Sequence, residues 1–125
     1  MDKIKYALIG SGWRAEFYIR IAKMVPEQFE LTAVLVRDAA KGAAFAEEFQ
    51  VKVVNSLEAL METAPEFVVL SIKRGFVTGY LLDLFQRNIP VLAETPPGED
   101  MESLQSLWSA YEKYQPKIQV AEQYF

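Results

Sequence analysis

The run Gly10-Ser11-Gly12-Trp13-Arg14-Ala15 has the spacing G-x-G-x-x-[G/A]. Glycine in its first place permits a tight turn, and glycine in its third lets a diphosphate approach bare backbone. Ala15 in the last place is small enough for a helix to lie close against a sheet. An anion held there would face the N–H groups and the positive dipole end of that helix. The chemistry this implies is binding of a dinucleotide through its pyrophosphate. The pattern carries that meaning only between a strand and a helix; elsewhere it is an ordinary glycine-rich turn.

A second position bears on which dinucleotide. Sites for NAD usually set a carboxylate at the end of the next strand, where it bonds the ribose 2′-hydroxyl. Here the sequence reads Leu35-Val36-Arg37-Asp38. Val36 cannot make that bond, whereas the guanidinium fork of Arg37 can pair with a 2′-phosphate. NADP is therefore favoured over NAD. Asp38 has a competing use as the N-cap of the following helix, although it could also turn back to a ribose.

Arg14, Arg37, Lys73 and Arg74 all fall just after predicted strands, on the side where such folds bind ligands. They stand out against a chain of net charge −4, with 13 basic and 17 acidic residues. That balance argues against a nucleic-acid scaffold. Ser71, Ile72 and Lys73 close the third main strand and join the candidate cofactor contacts, as do Glu94 and Thr95 at the next strand end. Thr95 leads into Pro96-Pro97-Gly98, a stiff turn. Cysteine and histidine are both absent. Disulfides, thiolate nucleophiles, imidazole acid–base chemistry and the usual zinc sites are thereby removed.

The elements that must position these residues follow from the hydrophobic pattern. Short apolar runs at 3–9, 31–36, 67–72, 91–93 and 117–121 predict strands, with a weaker one at 51–54. Several lack polar alternation, as parallel strands covered on both faces do. Between them, Trp13, Phe17, Ile21 and Met24 form one helical stripe that ends before Pro26. Met101, Leu104, Leu107, Trp108 and Tyr111 form another, with Asp100 as N-cap. Val77, Leu81, Leu84 and Phe85 make a third; Ala43, Ala46 and Phe49, and Leu57, Leu60 and Met61 after an N-cap at Ser56, make two shorter ones. All these stripes are expected to face the core. The right-handed crossover rule then folds the chain into an α/β, doubly wound, mainly parallel sheet with helices on both faces. At 125 residues that is one domain spanning residues 1–125. No apolar run approaches the ~18 residues a membrane helix needs, and the N-terminus carries no secretion pattern. Cytoplasm is the default location, with no membrane or nucleic-acid partner.

The glycine motif, Val36-Arg37-Asp38 before an Ala-rich helix, and Val91-Leu92-Ala93-Glu94-Thr95-Pro96 together resemble the N-terminal domain of the Gfo/Idh/MocA oxidoreductases. The resemblance spans essentially the whole chain. It implies a Rossmann fold that binds NAD or NADP for hydride transfer to or from a small polar substrate such as a sugar, polyol or related carbonyl or imine. The family places the lysine of a Glu-Lys-Pro motif near nicotinamide and substrate. This sequence keeps Glu94 and Pro96 but has Thr95 between them, and Ile72-Lys73-Arg74 and Val77 replace the family's Thr-Pro-Asn and His. Lys73 is the candidate substitute for the missing ammonium, although a lysine at a strand end is ordinarily solvated.

The family's catalytic histidine belongs to a C-terminal domain that is absent from this chain and through which a homo-oligomer could form. The reading is the nucleotide-binding part of an oxidoreductase, inactive by itself. The alternative is a non-catalytic dinucleotide-binding or regulatory module. A methyltransferase ranks below both, because Leu8-Ile9 rather than an acidic residue precede Gly10.

Overall fold

In a computed structural model, which describes residues 3–94 and 100–121, eleven elements alternate along the chain. They are β1 (Ile4–Ile9), α1 (Trp13–Met24), β2 (Phe29–Leu35), α2 (Ala39–Phe49), β3 (Val53–Val54), α3 (Leu57–Glu62), β4 (Phe67–Leu70), α4 (Arg74–Gln86), β5 (Val91–Glu94), α5 (Met101–Tyr114) and β6 (Ile118–Ala121). The six strands form one sheet in the order β3-β2-β1-β4-β5-β6, every neighbouring pair parallel. The chain therefore winds outward from β1 in one direction and then from β4 in the other. Between these two strands lies the switch point, where loops diverge and a ligand crevice opens.

The strands read as unbroken apolar runs because both faces of the sheet are buried. Along β1, Tyr6 and Leu8 join one core cluster while Ala7 and Ile9 join the other. Along β4, Val69 points one way and Val68 and Leu70 the other. One cluster lies under α1 and α2 through Ala15, Ile19 and Phe45; the second lies under α3, α4 and α5 through Leu60, Leu81, Leu84 and Leu107. Fully burying each larger aliphatic side chain contributes about 1.5–3 kcal/mol. The expected stripe of Val77, Leu81, Leu84 and Phe85 on α4 is buried throughout. Ser56 caps α3 by accepting from Ala59 N at 3.2 Å, and Asp100 caps α5 by accepting from Ser103 N at 2.8 Å.

Two stripes expected in the core are not there. Trp13, Phe17, Ile21 and Met24 are all exposed, Trp13 at 65% and Met24 at 77%. Helix α1 meets the sheet through Ala15 and Ile19 instead. Periodicity shows which residues share a face but not which face turns inward. The close seat demanded by the glycine turn selects the face carrying alanine over the bulkier one. On α5, Met101, Leu104, Trp108 and Tyr111 are likewise exposed and Leu107 alone is buried. On α2 the buried face is Gly42 and Phe45 rather than Ala43. A Cβ on Gly42 would already stand 3.1 Å from Val53 Cγ1, so the helix packs through its glycine.

Tyr6 ties α1 to the sheet. Its ring stacks on Phe67 with centroids 5.4 Å apart, and its hydroxyl donates to the Tyr18 carbonyl of α1. Burial pushes the phenol up to about 12, partly opposed by the neighbouring Ala22 N–H. The unfolded chain ionises Tyr6 first, near its ordinary 10.0. This contribution to stability is thus intact below pH 10 and fades as pH rises from 10 to 12. Tyr6→Phe should cost about 0.5–1.5 kcal/mol at pH 7 and make the alkaline decline shallower, as measured by urea denaturation at pH 7 and across that interval.

Candidate functional site

The site begins where β1 ends. Gly10 has φ +133°, and a Cβ built on it would lie 1.9 Å from the Ser71 carbonyl oxygen. No side chain fits that approach. Hydrogen bonds fix the turn from both sides: Gly10 N donates to Leu35 O at 3.2 Å, and Ser71 N donates to Ile9 O at 2.9 Å. The backbone of β1 is thereby clamped between the ends of β2 and β4. Gly12 differs in every respect. Its φ is −77°, and a Cβ there would meet nothing within 4 Å. It is the N-cap of α1 and supplies no side-chain hydrogen bond to the helix N-terminus. Ala15 follows, fully buried, with its N–H bonded to Gly12 O at 3.0 Å. The glycines therefore serve opposite ends: the first lets the turn fit its own protein, and the second leaves space above a helix N-terminus.

The loop after β2 is anchored before it reaches its charged residues. Val36 N donates to Val54 O at 3.0 Å, and Asn55 Nδ2 donates to Val36 O at 3.0 Å. Asp38 then caps α2, its Oδ1 accepting from Ala40 N at 2.9 Å and Lys41 N at 3.0 Å. Those N–H groups, Lys41's foremost, hold its carboxyl below the usual carboxylate range. Arg37 turns the other way and lies over the Phe76 ring of α4, 3.6 Å from its centroid.

Ser71 is buried just past β4, and Lys73 is the N-cap of α4 without a side-chain cap bond. At the end of β5, Glu94 lies 3.9 Å from Arg14 Nη1, too far for a hydrogen bond. Its Oε1 is buried and has no donor among the described residues. Tyr18 stands nearby. Burial raises its phenol, the Glu94 carboxylate raises it further, and Arg14 lowers it.

These pieces enclose a cavity of about 650 Å³, within the range of small-molecule and cofactor pockets. Gly10, Ser11, Gly12, Trp13, Arg14, Arg37, Asp38, Ser71, Ile72, Lys73 and Glu94 all line it, so eleven of the expected residues meet in one place. Thr95, with the proline turn after it, lies outside the described residues, as does the side chain of Arg74. Lys41, Phe76 and Tyr80 line the cavity too and were not among the expected residues. Lys41 had one signal in the sequence, a basic residue in the first turn of a helix that Asp38 caps. Phe76 and Tyr80 had none, since their neighbours Val77 and Leu81 read as core.

This is the crevice of a dinucleotide-binding α/β domain. A bare glycine at a helix N-terminus without a side-chain cap, flanking cations and a buried carboxylate oxygen with no donor among the described residues suit a ligand with both phosphates and hydroxyls. Residues 4–122 match the model of the Gfo/Idh/MocA oxidoreductase family, NAD-binding Rossmann fold, and the chain belongs to that family. No curated protein matches it in sequence.

Among solved structures it is similar to the WlbA dehydrogenase from Bordetella pertussis in complex with NADH and UDP-GlcNAcA. The identity is 18% and the TM-score 0.81, over 98% of this chain and 38% of that one. It is similar also to scyllo-inositol dehydrogenase from Lactobacillus casei with bound NAD(H) and scyllo-inositol, at 18% identity and TM-score 0.79 over 96% and 36% of the two chains. Biliverdin reductase from Synechocystis in complex with biliverdin and NADP+ gives 17% and 0.77, over 94% and 37%. The chain thus spans little more than a third of the length of these structures.

The two glycines should separate on mutation. Gly10→Ala should lose about 2–4 kcal/mol of stability, from a methyl forced against the Ser71 carbonyl and an unfavourable φ. Gly12→Val should change stability by less than about 1 kcal/mol. Chemical denaturation of both variants checks this.

Proposed function

We propose that this chain is the nucleotide-binding domain of an oxidoreductase that transfers hydride between a nicotinamide dinucleotide, NADP in preference to NAD, and a small polar substrate such as a sugar, polyol or related carbonyl or imine. The observation that carries the reading is the open space at Gly12 above the uncapped N-terminus of α1, inside a cavity shared with Arg37 and Lys41. The dinucleotide, when bound, supplies the hydride chemistry; the chain's part is to hold and orient it.

The first turn of α1 holds the pyrophosphate. The preference for NADP rests on what surrounds the ribose end. One Asp38 oxygen, Oδ1, is engaged by two backbone N–H groups of α2, while Arg37 and Lys41 present positive charge to the same cavity. Glu94 offers an acceptor to a hydroxyl on the nicotinamide side. The solved structures to which the chain is similar hold NADH with UDP-GlcNAcA, NADP+ with biliverdin, or NAD(H) with scyllo-inositol, which supports the substrate class only in its breadth. The substrate domain, and any oligomer built on it, belongs to the remaining length that those relatives have. A cytoplasmic location fits an enzyme of this kind.

One observation favours a second reading, a dinucleotide-binding module without turnover. Thr95 stands where the family has lysine. Lys73 shares the cavity with Glu94 and is the residue to test as a replacement ammonium. In the full-length protein, turnover that is lost in Lys73→Ala while cofactor binding persists would make Lys73 that replacement, whereas dinucleotide binding without any turnover by the full-length wild type would favour the binding module.

Three outcomes follow. Gly12→Val should abolish dinucleotide binding while the fold persists, and calorimetric titration showing unchanged affinity would remove the cofactor reading. Arg37→Ala should weaken NADPH by roughly 1.5–3 kcal/mol and leave NADH nearly unaffected, whereas equal affinities of the wild type for the two would remove the NADP preference. Finally, the 125-residue chain should bind NADPH but not oxidise it with any carbonyl substrate, because one wall of a site cannot fix a substrate in attack geometry. Loss of NADPH absorbance would contradict that.

A further inference from the structure

We infer that Phe76 is a positioning residue for recognition of the dinucleotide's 2′-phosphate, acting by holding the Arg37 guanidinium in place before the ligand arrives. This rests on the dinucleotide reading above and adds to it a residue from a different element.

The geometry begins with an oddity. Phe76 is 41% exposed, although Val77, Leu81, Leu84 and Phe85 of the same helix are buried. It serves the core little. Its ring instead meets Arg37 face-on at 3.6 Å, while the other cation–ring contacts among the described residues lie at 5.2–5.8 Å. The contact is long-range in sequence: Arg37 follows β2 and Phe76 sits in the first turn of α4, so the pair bridges the crevice mouth over the end of β1.

An arginine at a strand end would otherwise sample many rotamers, and fixing it at the moment of binding costs conformational entropy. Stacking removes much of that freedom in advance. A guanidinium lying flat on a ring keeps all its N–H donors in the plane parallel to the ring, free at their edges for a bidentate oxyanion. The aromatic face thus restrains the cation without consuming the bonds it needs. Tyr80, one turn further along α4, also lines the cavity; burial raises its phenol and the Arg37 charge opposes that rise. Lys41 brings a second cation to that cavity from α2. The loop bearing Arg37 is itself fixed by the Asn55 bond to Val36 O, so the restraint extends from backbone to side-chain tip.

Calorimetric titration of the whole 125-residue chain with NADPH and with NADH tests the inference, using wild type, Phe76→Ala, Phe76→Tyr, Arg37→Ala and the double variant Arg37→Ala/Phe76→Ala. Phe76→Ala should weaken NADPH roughly 3- to 5-fold and leave NADH unchanged. Phe76→Tyr should restore NADPH affinity to about the wild-type value, because tyrosine keeps the ring face. The double variant should bind NADPH no more weakly than Arg37→Ala alone, since Phe76 acts only through the guanidinium. Full NADPH affinity in Phe76→Ala would overturn the inference while leaving the NADP reading standing. Equal losses for NADPH and NADH would also overturn it, by showing that the ring serves a part common to both. A wild type without preference for NADPH would bring down the Arg37 assignment and this inference together.

Discussion

The close approach of the Gly10 backbone to the Ser71 carbonyl governs much of what surrounds it. Parallel strands β1 and β4 end side by side, and their loops must part at once, one towards α1 and the other towards α4. A methyl group at Gly10 would prevent the β1 turn from passing under the end of β4. Because that turn is tight, α1 starts directly over the sheet. Because α1 starts there, it can touch the sheet only through small or slender residues, Ala15 first and then Ile19. The open N-terminus of α1, the feature that suits an anion, follows from the same constraint.

That constraint also explains where the chain departs from its own periodicity. The bulky stripe of Trp13, Phe17, Ile21 and Met24 is the more hydrophobic face of α1, yet it lies exposed. Burying it would lift the helix from the sheet by the width of an indole and pull the turn out of its seat. The energy of the fold comes instead from the strands, whose alternate residues feed two separate cores, and from α4, which buries four large side chains against the second. The described loops of the site after β1, β2 and β4 leave strands packed on both faces, and backbone bonds tie those strand ends to their neighbours.

Much of this was legible in the residues. Unbroken apolar runs such as Phe67–Leu70 signalled parallel strands buried on both sides, and both glycines of the motif hold the positions their spacing implied. The weak signal at 51–54 marks a real edge strand, Val53–Val54, and β2 starts earlier than its apolar run, at Phe29, because Glu30 at its exposed end interrupts the pattern but not the pairing. Strand-end candidates from Arg14 to Glu94 converge because the topology brings every strand end to one edge. What the sequence could not convey is lateral reach. Phe76 and Tyr80 enter the cavity from α4, and Lys41 from α2. Their roles depend on how far a helix start leans over the crevice, which spacing along one element does not encode. The inward faces of α1 and α5 were illegible for a related reason: amphipathicity is a property of the helix, whereas burial is a property of its seat.

Whether the turn Gly10–Arg14 and the Arg37 corner form one dinucleotide site is best answered by the backbone amide NMR spectrum of the chain titrated with NADPH. Large, saturable shifts are expected, confined to amides from Gly10 to Arg14, around Arg37 to Lys41 and in the first turn of α4, with β3 and the outer faces of α1 and α5 unmoved. Shifts centred elsewhere, or none at the glycine turn at saturating NADPH, would contradict a single site there.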